Sequence, residues 1–280
     1  MNSATPPALD LPVKTDVWSN FSEFETKRQT RLLSKFSTLL KPALRQDEAV
    51  LFGSPARRRS ISFGRFLHGL VMSNRHRLCV VIFSTQRLFV FPTGSDFLPR
   101  NAISVVELGD VATMRLSGIV TRKLSVTYRS GRAEVFTMDF EDIAARVPAV
   151  FGDSFAGLPH SDRGERFVLC PKCYATIPAG EYRCGGCGAE FKTHAELRRR
   201  AWLVPGGAYF YIGDTFYGVL AGLAESVILF YMFLVLLEMF ANGGDRRSIT
   251  ALFGGSILLS IEKWIAIRSA NAAIDNYILE

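Results

Sequence analysis

Histidine is scarce in this chain. His68, His76, His160 and His194 are scattered, and none stands in a metal-binding or triad pattern. The commonest general base of enzymes therefore has no nucleophile or orienting partner that the sequence marks. No glycine-rich phosphate loop is present. A secretory leader pattern is missing as well: residues 1–20 are polar, carry Pro6, Pro7 and Pro12, and hold no apolar run. These absences predict a protein that is not an enzyme and whose soluble part stays in the cytoplasm.

Cysteine is also sparse, but it is ordered. Of five cysteines, four stand as C-x2-C-x10-C-x2-C at Cys170, Cys173, Cys184 and Cys187. Two such turns closing on each other offer four thiolates at tetrahedral spacing, which suits a structural Zn2+. With every position filled by protein, such a site holds structure and does not activate water. Pro171 and the pair Gly185-Gly186 stand where tight turns must aim backbone N–H groups at sulfur. The segment CGGCGAEF, residues 184–191, resembles the second knuckle of a zinc ribbon, with Phe191 expected to pack beneath the metal. A ribbon of roughly 25 residues has almost no core, so the metal would supply much of its folding free energy. The fifth cysteine, Cys79, lies in an apolar run and reads as a buried core thiol. This usage predicts a reducing compartment. Two alternatives attach to the ribbon. One is iron, as in rubredoxin-type carriers, but that family has Gly after both second cysteines, whereas Tyr174 follows the first pair here. The other is nucleic-acid binding, which the balance of Lys172, Arg183 and Lys192 against Glu181 and Glu190 disfavours.

Charge and hydropathy divide the chain. Residues 1–160 carry 21 Lys and Arg against 14 Asp and Glu, the whole of the formal +7, while residues 161–280 balance at 12 against 12. A basic domain near a bilayer suggests anionic headgroups or an acidic partner, although such an excess also serves solubility alone. Residues 1–18 read as a disordered lead-in. Residues 19–41 read as an amphipathic helix capped by Asn20 or Ser22, with Phe24, Leu32, Leu33, Phe36, Leu39 and Leu40 on its apolar face and Lys27, Arg28, Arg31 and Lys35 opposite. That helix either packs on a sheet or lies on a membrane. Strands are expected at 49–53, 78–83, 87–91, 103–108, 112–116, 123–128 and 133–138, followed by a closing helix at 140–151.

The stretch VVIFSTQRLFVF, residues 80–91, resembles the strand–Thr-x-x-Arg-Leu–strand hairpin of bacterial PH-like and GRAM-like domains, with Arg87 and Leu88 in the matching places and Thr85 one residue nearer the arginine than the pattern has it. Residues 103–118 resemble the strand pair that follows, and the likeness covers roughly 44–152. It implies a PH-like β-barrel with a C-terminal capping helix over 19–152, and binding rather than catalysis. The clusters Arg57, Arg58, Arg59 and Arg75, Arg77 are then expected in rim loops, as contacts for anionic surfaces or simply as solvated charge. Residues 61–72 fit this pattern as either a strand or an insertion.

A linker is expected at 153–168 and the ribbon at 169–192, ahead of a membrane domain over 200–280 with spans near 215–240 and 249–268. Joined by residues 242–245, the two spans make an α-helical transmembrane hairpin. Arg198, Arg199 and Arg200 before it, with Lys263 and Arg268 late in it, favour both termini on the cytoplasmic side of a bacterial inner membrane. The segment Pro205 to Gly213 resembles the lead-in of TM2-type hairpins through Phe210, Tyr211 and Gly213, and reads as re-entrant, interfacial or a short third span. Gly218 and Gly222, with Gly254, Gly255, Ser256 and Ser260, favour close helix contacts and a homo-oligomer. Glu225 and Lys263 fall at similar depth and are expected to form an intramembrane ion pair. The sequence thus predicts a membrane-anchored binding or scaffold protein that recruits a protein partner or anionic lipid. Alternatives are a regulatory subunit of a transport or secretion complex and a zinc-ribbon nucleic-acid binder.

Overall fold

The computed structural model describes residues 9–19, 21–59, 78–94, 97–118, 122–138, 155, 158–161 and 164–274. The closing helix expected at 140–151, residues 61–72, Arg75 and Arg77 lie outside them. The chain divides into two compact units, one ending at Glu190 and the other beginning at Phe191.

The first unit is built on nine antiparallel strands: β1 (Val50–Arg59), β2 (Leu78–Ser84), β3 (Arg87–Pro92), β4 (Ile103–Glu107), β5 (Val111–Ser117), β6 (Lys123–Tyr128), β7 (Ala133–Met138), β8 (Phe167–Leu169) and β9 (Thr176–Ile177). Their order in the sheet is β5-β6-β7-β1-β2-β3-β4-β8-β9. Strands β2, β3 and β4 are apolar along nearly their whole length because both of their faces are covered. One face puts Val81, Phe83, Leu88 and Val90 into a core shared with Leu124, Val126 and Phe136 of β6 and β7. The other puts Val80, Ile82, Phe89 and Phe91 beneath Leu33, Phe36 and Leu40. By contrast β6 and β7 alternate buried and partly exposed residues, so only one of their faces is fully covered.

A short helix, α1 (Thr15–Trp18), comes first, and where one helix over 19–41 was expected there are two, α2 (Glu23–Ser34) and α3 (Ser37–Leu40). Ser22 caps α2 in a reciprocal capping box: its Oγ accepts from Glu25 N at 3.2 Å, and Glu25 Oε2 accepts from Ser22 N at 2.7 Å. Leu32, Leu33, Phe36 and Leu40 are buried, so this apolar face packs on the sheet. Phe24, expected to join it, is 72% exposed, because about two and a half helical turns separate it from Leu33 and set it on the opposite side of α2, under Arg28.

Residues 9–18, expected to be disordered, are ordered along β1. Val50 N donates to Pro12 O at 2.7 Å, Lys14 N to Val50 O at 3.0 Å, and Trp18 Nε1 to Leu51 O at 2.6 Å. Gln29, fully buried, then donates from Nε2 to Gly53 O at 2.9 Å and accepts from Gly53 N at 2.8 Å. The need is physical: the early part of β1 pairs only with β2, and its other edge must find partners before it can be buried. Beyond Pro55 that edge passes to β7, which pairs with residues 56–59.

The second unit is helical: α4 (His194–Leu203), α5 (Gly207–Tyr211), α6 (Thr215–Asn242) and α7 (Arg246–Ile274). Two of these helices are long and apolar enough to cross a membrane, over Thr215–Ala241 and Arg246–Asn271, with mean hydropathies of 2.3 and 1.4. At five residues, α5 is far too short for a third span. It packs on both long helices and on α4.

Candidate metal centre

Strand β8 runs into Cys170, and β8 with β9 forms a hairpin that carries the first cysteine turn. The hairpin is not free-standing. Ile103, Ser104 and Val105 of β4 pair with Leu169, Val168 and Phe167, inside the stretch expected as linker and ribbon start. The cysteine cluster is therefore the continuation of the main sheet at one end.

The two turns repeat one design. Cys170 N donates to Ala175 O at 2.9 Å and Tyr174 N to Cys170 O at 2.8 Å. Cys184 N donates to Ala189 O and Gly188 N to Cys184 O, both at 2.8 Å. The fifth residue of each turn takes a left-handed backbone, Tyr174 with φ 59° and Gly188 with φ 72°. Glycine makes that conformation readily, whereas a tyrosine there is strained by about 1 kcal/mol or more. Tyr174 offsets the strain by packing against the core under α2 and α3. Because it holds a glycine-like backbone, its presence does not separate zinc from iron.

The four sulfurs come together. Cys170 and Cys187 Sγ lie 3.6 Å apart, Cys173 and Cys184 Sγ 3.4 Å apart, and all four fall within 4.8 Å of one another. These distances far exceed a disulfide bond of about 2.05 Å. They match the edge of a tetrahedron with metal–sulfur bonds of about 2.3 Å, which is about 3.8 Å. Backbone N–H groups of Cys173 and Lys172 point at Cys170 Sγ, and those of Cys187 and Gly186 at Cys184 Sγ. A Cβ on Gly186 would stand 3.2 Å from Ala175 Cβ and 3.4 Å from Cys173 Sγ, so glycine is what lets the turns close on each other. Burial pushes the Cys170 thiol up, while the Cys187 amide leads in lowering the Cys184 thiol to about 7. Four thiols so close do not all ionise without a cation among them, so the donor set fits a thiophilic metal ion. Phe191, at the start of the second unit, is buried.

Cys79 is buried, its Sγ lies 3.5 Å from Ala56 O, and burial raises its thiol to about 12. It takes no part in the cluster.

The expected anionic-surface arginines are placed differently from a rim loop. Arg57 and Arg58 stand on β1, which runs six residues past its expected end. Arg58 Nη2 donates to Glu134 Oε1 on β7 at 2.9 Å, and Arg57 is exposed. The side chain of Arg59, like Arg75 and Arg77, lies outside the described residues.

Sequence reasoning missed one site within the sheet. Arg87 Nε donates to Glu48 Oε1 and Oε2 at 3.1 and 3.0 Å, its Nη2 also donates to Glu48, and Nη2 donates to Ala43 O at 2.6 Å. Ser84 Oγ bonds the same carboxylate, and both Arg87 and Glu48 are buried. The available signal was a charge inside an apolar strand run. The arginine of the β2–β3 hairpin is thus a structural clamp.

In the second unit, Lys263 Nζ donates to the Glu225 carboxylate, and both residues are buried. Gly218 and Gly222 face the segment that leads into α6. A Cβ on Gly206 (φ 69°) would lie 2.0 Å from Gly218 O, and one on Gly222 would lie 3.2 Å from Pro205 O. The Pro205-Gly206 turn itself fills that groove. The neighbouring residues have matching roles: Phe210 lies over Gly218, Gly213 (φ 82°) turns the chain, and Asp214 caps α6 by accepting from Tyr217 N at 3.4 Å. No family model matches the chain, and no curated protein matches it.

Proposed function

We propose that this chain is a membrane-anchored, non-enzymatic scaffold whose metal-stapled sheet domain recruits a protein partner at the cytoplasmic face of a bacterial inner membrane. In this reading the first unit is PH-like, the four cysteines hold a structural Zn2+ in a ribbon-type site, and α6 and α7 form a transmembrane hairpin with both chain ends in the cytoplasm. The observation that carries it is the seating of the cysteine cluster on the sheet through β8 and β4. Four protein thiols leave a metal no position for substrate, and their place at the sheet's end makes the metal a staple. Lipid recognition by the sheet loses support from Arg58, which is half-buried and tied to Glu134, a carboxylate it shares with Arg166. A protein contact is supported by the outer face of β5, where Thr113, Arg115 and Ser117 are exposed.

A photo-crosslinking amino acid at Arg115, and separately at Thr113, tests this in membranes that carry the full chain. The expected product is a discrete protein adduct that disappears when Cys184 and Cys187 are both replaced by Ser. Adducts to phospholipid alone would make the sheet a lipid reader instead. No adduct from either position would remove the recruitment reading.

A further inference from the structure

Helix α4 carries three arginines one turn before an apolar end. Arg198 and Arg199 precede Trp202 and Leu203 at a spacing of four, so each lies one turn above an apolar side chain, and Val204 follows as the extended C-cap. The buried face of the helix is made by Leu197 and Ala201. Trp202, Leu203 and Val204 are 57%, 73% and 47% exposed. Three large apolar side chains open to solvent at one helix end call for an occupant.

The packing of the second unit shows what that occupant is. Lys263 pairs with Glu225, and a Cβ on Gly255 would lie 2.8 Å from Met232 Cγ, so α6 and α7 run antiparallel with 225 level with 263 and 232 level with 255. The same register puts Gly222 beside the turn that contains Trp264. Trp264 is exposed, and Arg268 stacks over its ring at 5.1 Å, a pairing suited to a headgroup boundary. From Gly222 to Asn242, α6 rises about 30 Å, the thickness of a bilayer's hydrocarbon core. Helix α4 is tied at both ends to this frame. His194 Nδ1 lies 2.9 Å from Asn271 Oδ1, beyond the boundary, and the Pro205 turn seats on Gly222, at it. The helix therefore slopes down toward the bilayer, with its apolar end at the boundary and its arginine turn about 5.4 Å back along the helix axis.

We infer that α4 is an interfacial helix that inserts Trp202, Leu203 and Val204 at the acyl boundary and presents Arg198, Arg199 and Arg200 to the phosphates of an anionic phospholipid leaflet. This rests on the transmembrane reading of α6 and α7. Arg199 Nη2 and Arg200 Nε both donate to Glu196 Oε1, at 2.9 and 2.7 Å, and Arg200 also lies over the Tyr211 ring at 4.8 Å. Glu196 thus orders two guanidinium groups and cancels one charge, which leaves the turn cationic. No other element of the second unit puts three cations together among the described residues.

The test uses the full chain with one tryptophan kept at a time. Trp18→Phe with Trp264→Phe leaves Trp202 as the probe, and Trp18→Phe with Trp202→Phe leaves Trp264. Each protein goes into phosphatidylcholine vesicles with lipids brominated near the headgroup, with or without roughly one third phosphatidylglycerol. Both tryptophans should be quenched, and Trp202 more strongly with phosphatidylglycerol. Changing Arg198, Arg199 and Arg200 together to Gln should lower the Trp202 quenching with phosphatidylglycerol by about twofold, leaving Trp264 unchanged. Quenched Trp264 with unquenched Trp202 would overturn the inference and leave the hairpin standing. Trp202 quenching indifferent to phosphatidylglycerol and to the Gln changes would overturn the phosphate recognition. Failure of both tryptophans to be quenched would sink the transmembrane reading beneath it.

Discussion

Arg87 shows why a single charge inside a sheet is tolerated. Its guanidinium meets both oxygens of Glu48 and the Ala43 carbonyl, and Ser84 bonds the same carboxylate, so little hydrogen-bonding capacity is left unmet. Breaking such a pair by removing one partner strands a buried charge, which costs about 3–5 kcal/mol, whereas replacing both by apolar groups is often neutral. Arg87→Leu is therefore expected to destabilise the first unit by about that amount. Arg87→Leu with Glu48→Leu should recover most of it. Urea unfolding of the detergent-solubilised full chain, followed by Trp18 emission, measures both. A single variant within about 1 kcal/mol of wild type would show that the pair contributes little. At this scale the sequence is uneven as a guide. The four cysteines announce themselves by local spacing, and so does the Ser22 cap. Glu48 and Arg87 stand 39 residues apart, and Gln29 and Gly53 stand 24 apart, with no periodic signal joining them.

The strands illustrate the same contrast among elements. Strands 123–128 and 133–138 are legible to the residue, because alternation is clean and the turn has Gly131 at φ 83°. Strand β1 outruns its expectation because Pro55 and three arginines read as a loop, while its pairing with β2 and β7 carries the chain through them. Strand β8 is three residues long, too short for periodicity, and only its place on β4 reveals it. That pairing predicts what metal removal does. Chelation should release about one metal ion per chain, speed amide exchange in β8 and β9, and leave β2 and β3 protected. Four thiols should become reactive toward a maleimide while Cys79, buried in the sheet core, stays silent. Acid should act in the same direction. The bound thiolates must compete with protons, so affinity falls with pH, and more steeply below about 7, where Cys184 too is protonated in the free site. Metal content against pH by mass spectrometry checks this and names the ion. Iron would replace zinc in the reading, and no metal at neutral pH would remove the staple.

Across the whole molecule, among the described residues, each unit holds one ion pair with both members buried. Glu48–Arg87 sits in a core with polar help from Ser84 and a backbone carbonyl. Glu225–Lys263 sits between two apolar helices, with the Glu262 carboxyl beside Glu225. The hairpin's remaining contacts are dispersion and close packing at Gly255, which set proximity but allow the helices to slide. Charge does not slide. A lysine that meets Glu225 at only one register fixes the antiparallel alignment, and with it the seat of the Pro205 turn on Gly222. Glu225→Lys alone should place two ammonium groups together and lower hairpin stability by about 3–5 kcal/mol. Adding Lys263→Glu restores opposite charges at the same depth and should bring stability back to within about 1 kcal/mol. Unfolding in mixed micelles by increasing dodecyl sulfate, read by Trp264 emission, reports both. Rescue would identify the pair as the register lock of the anchor. A double variant as unstable as the single would mean that Glu225 and Lys263 act independently, and that packing at Gly255 aligns the helices instead.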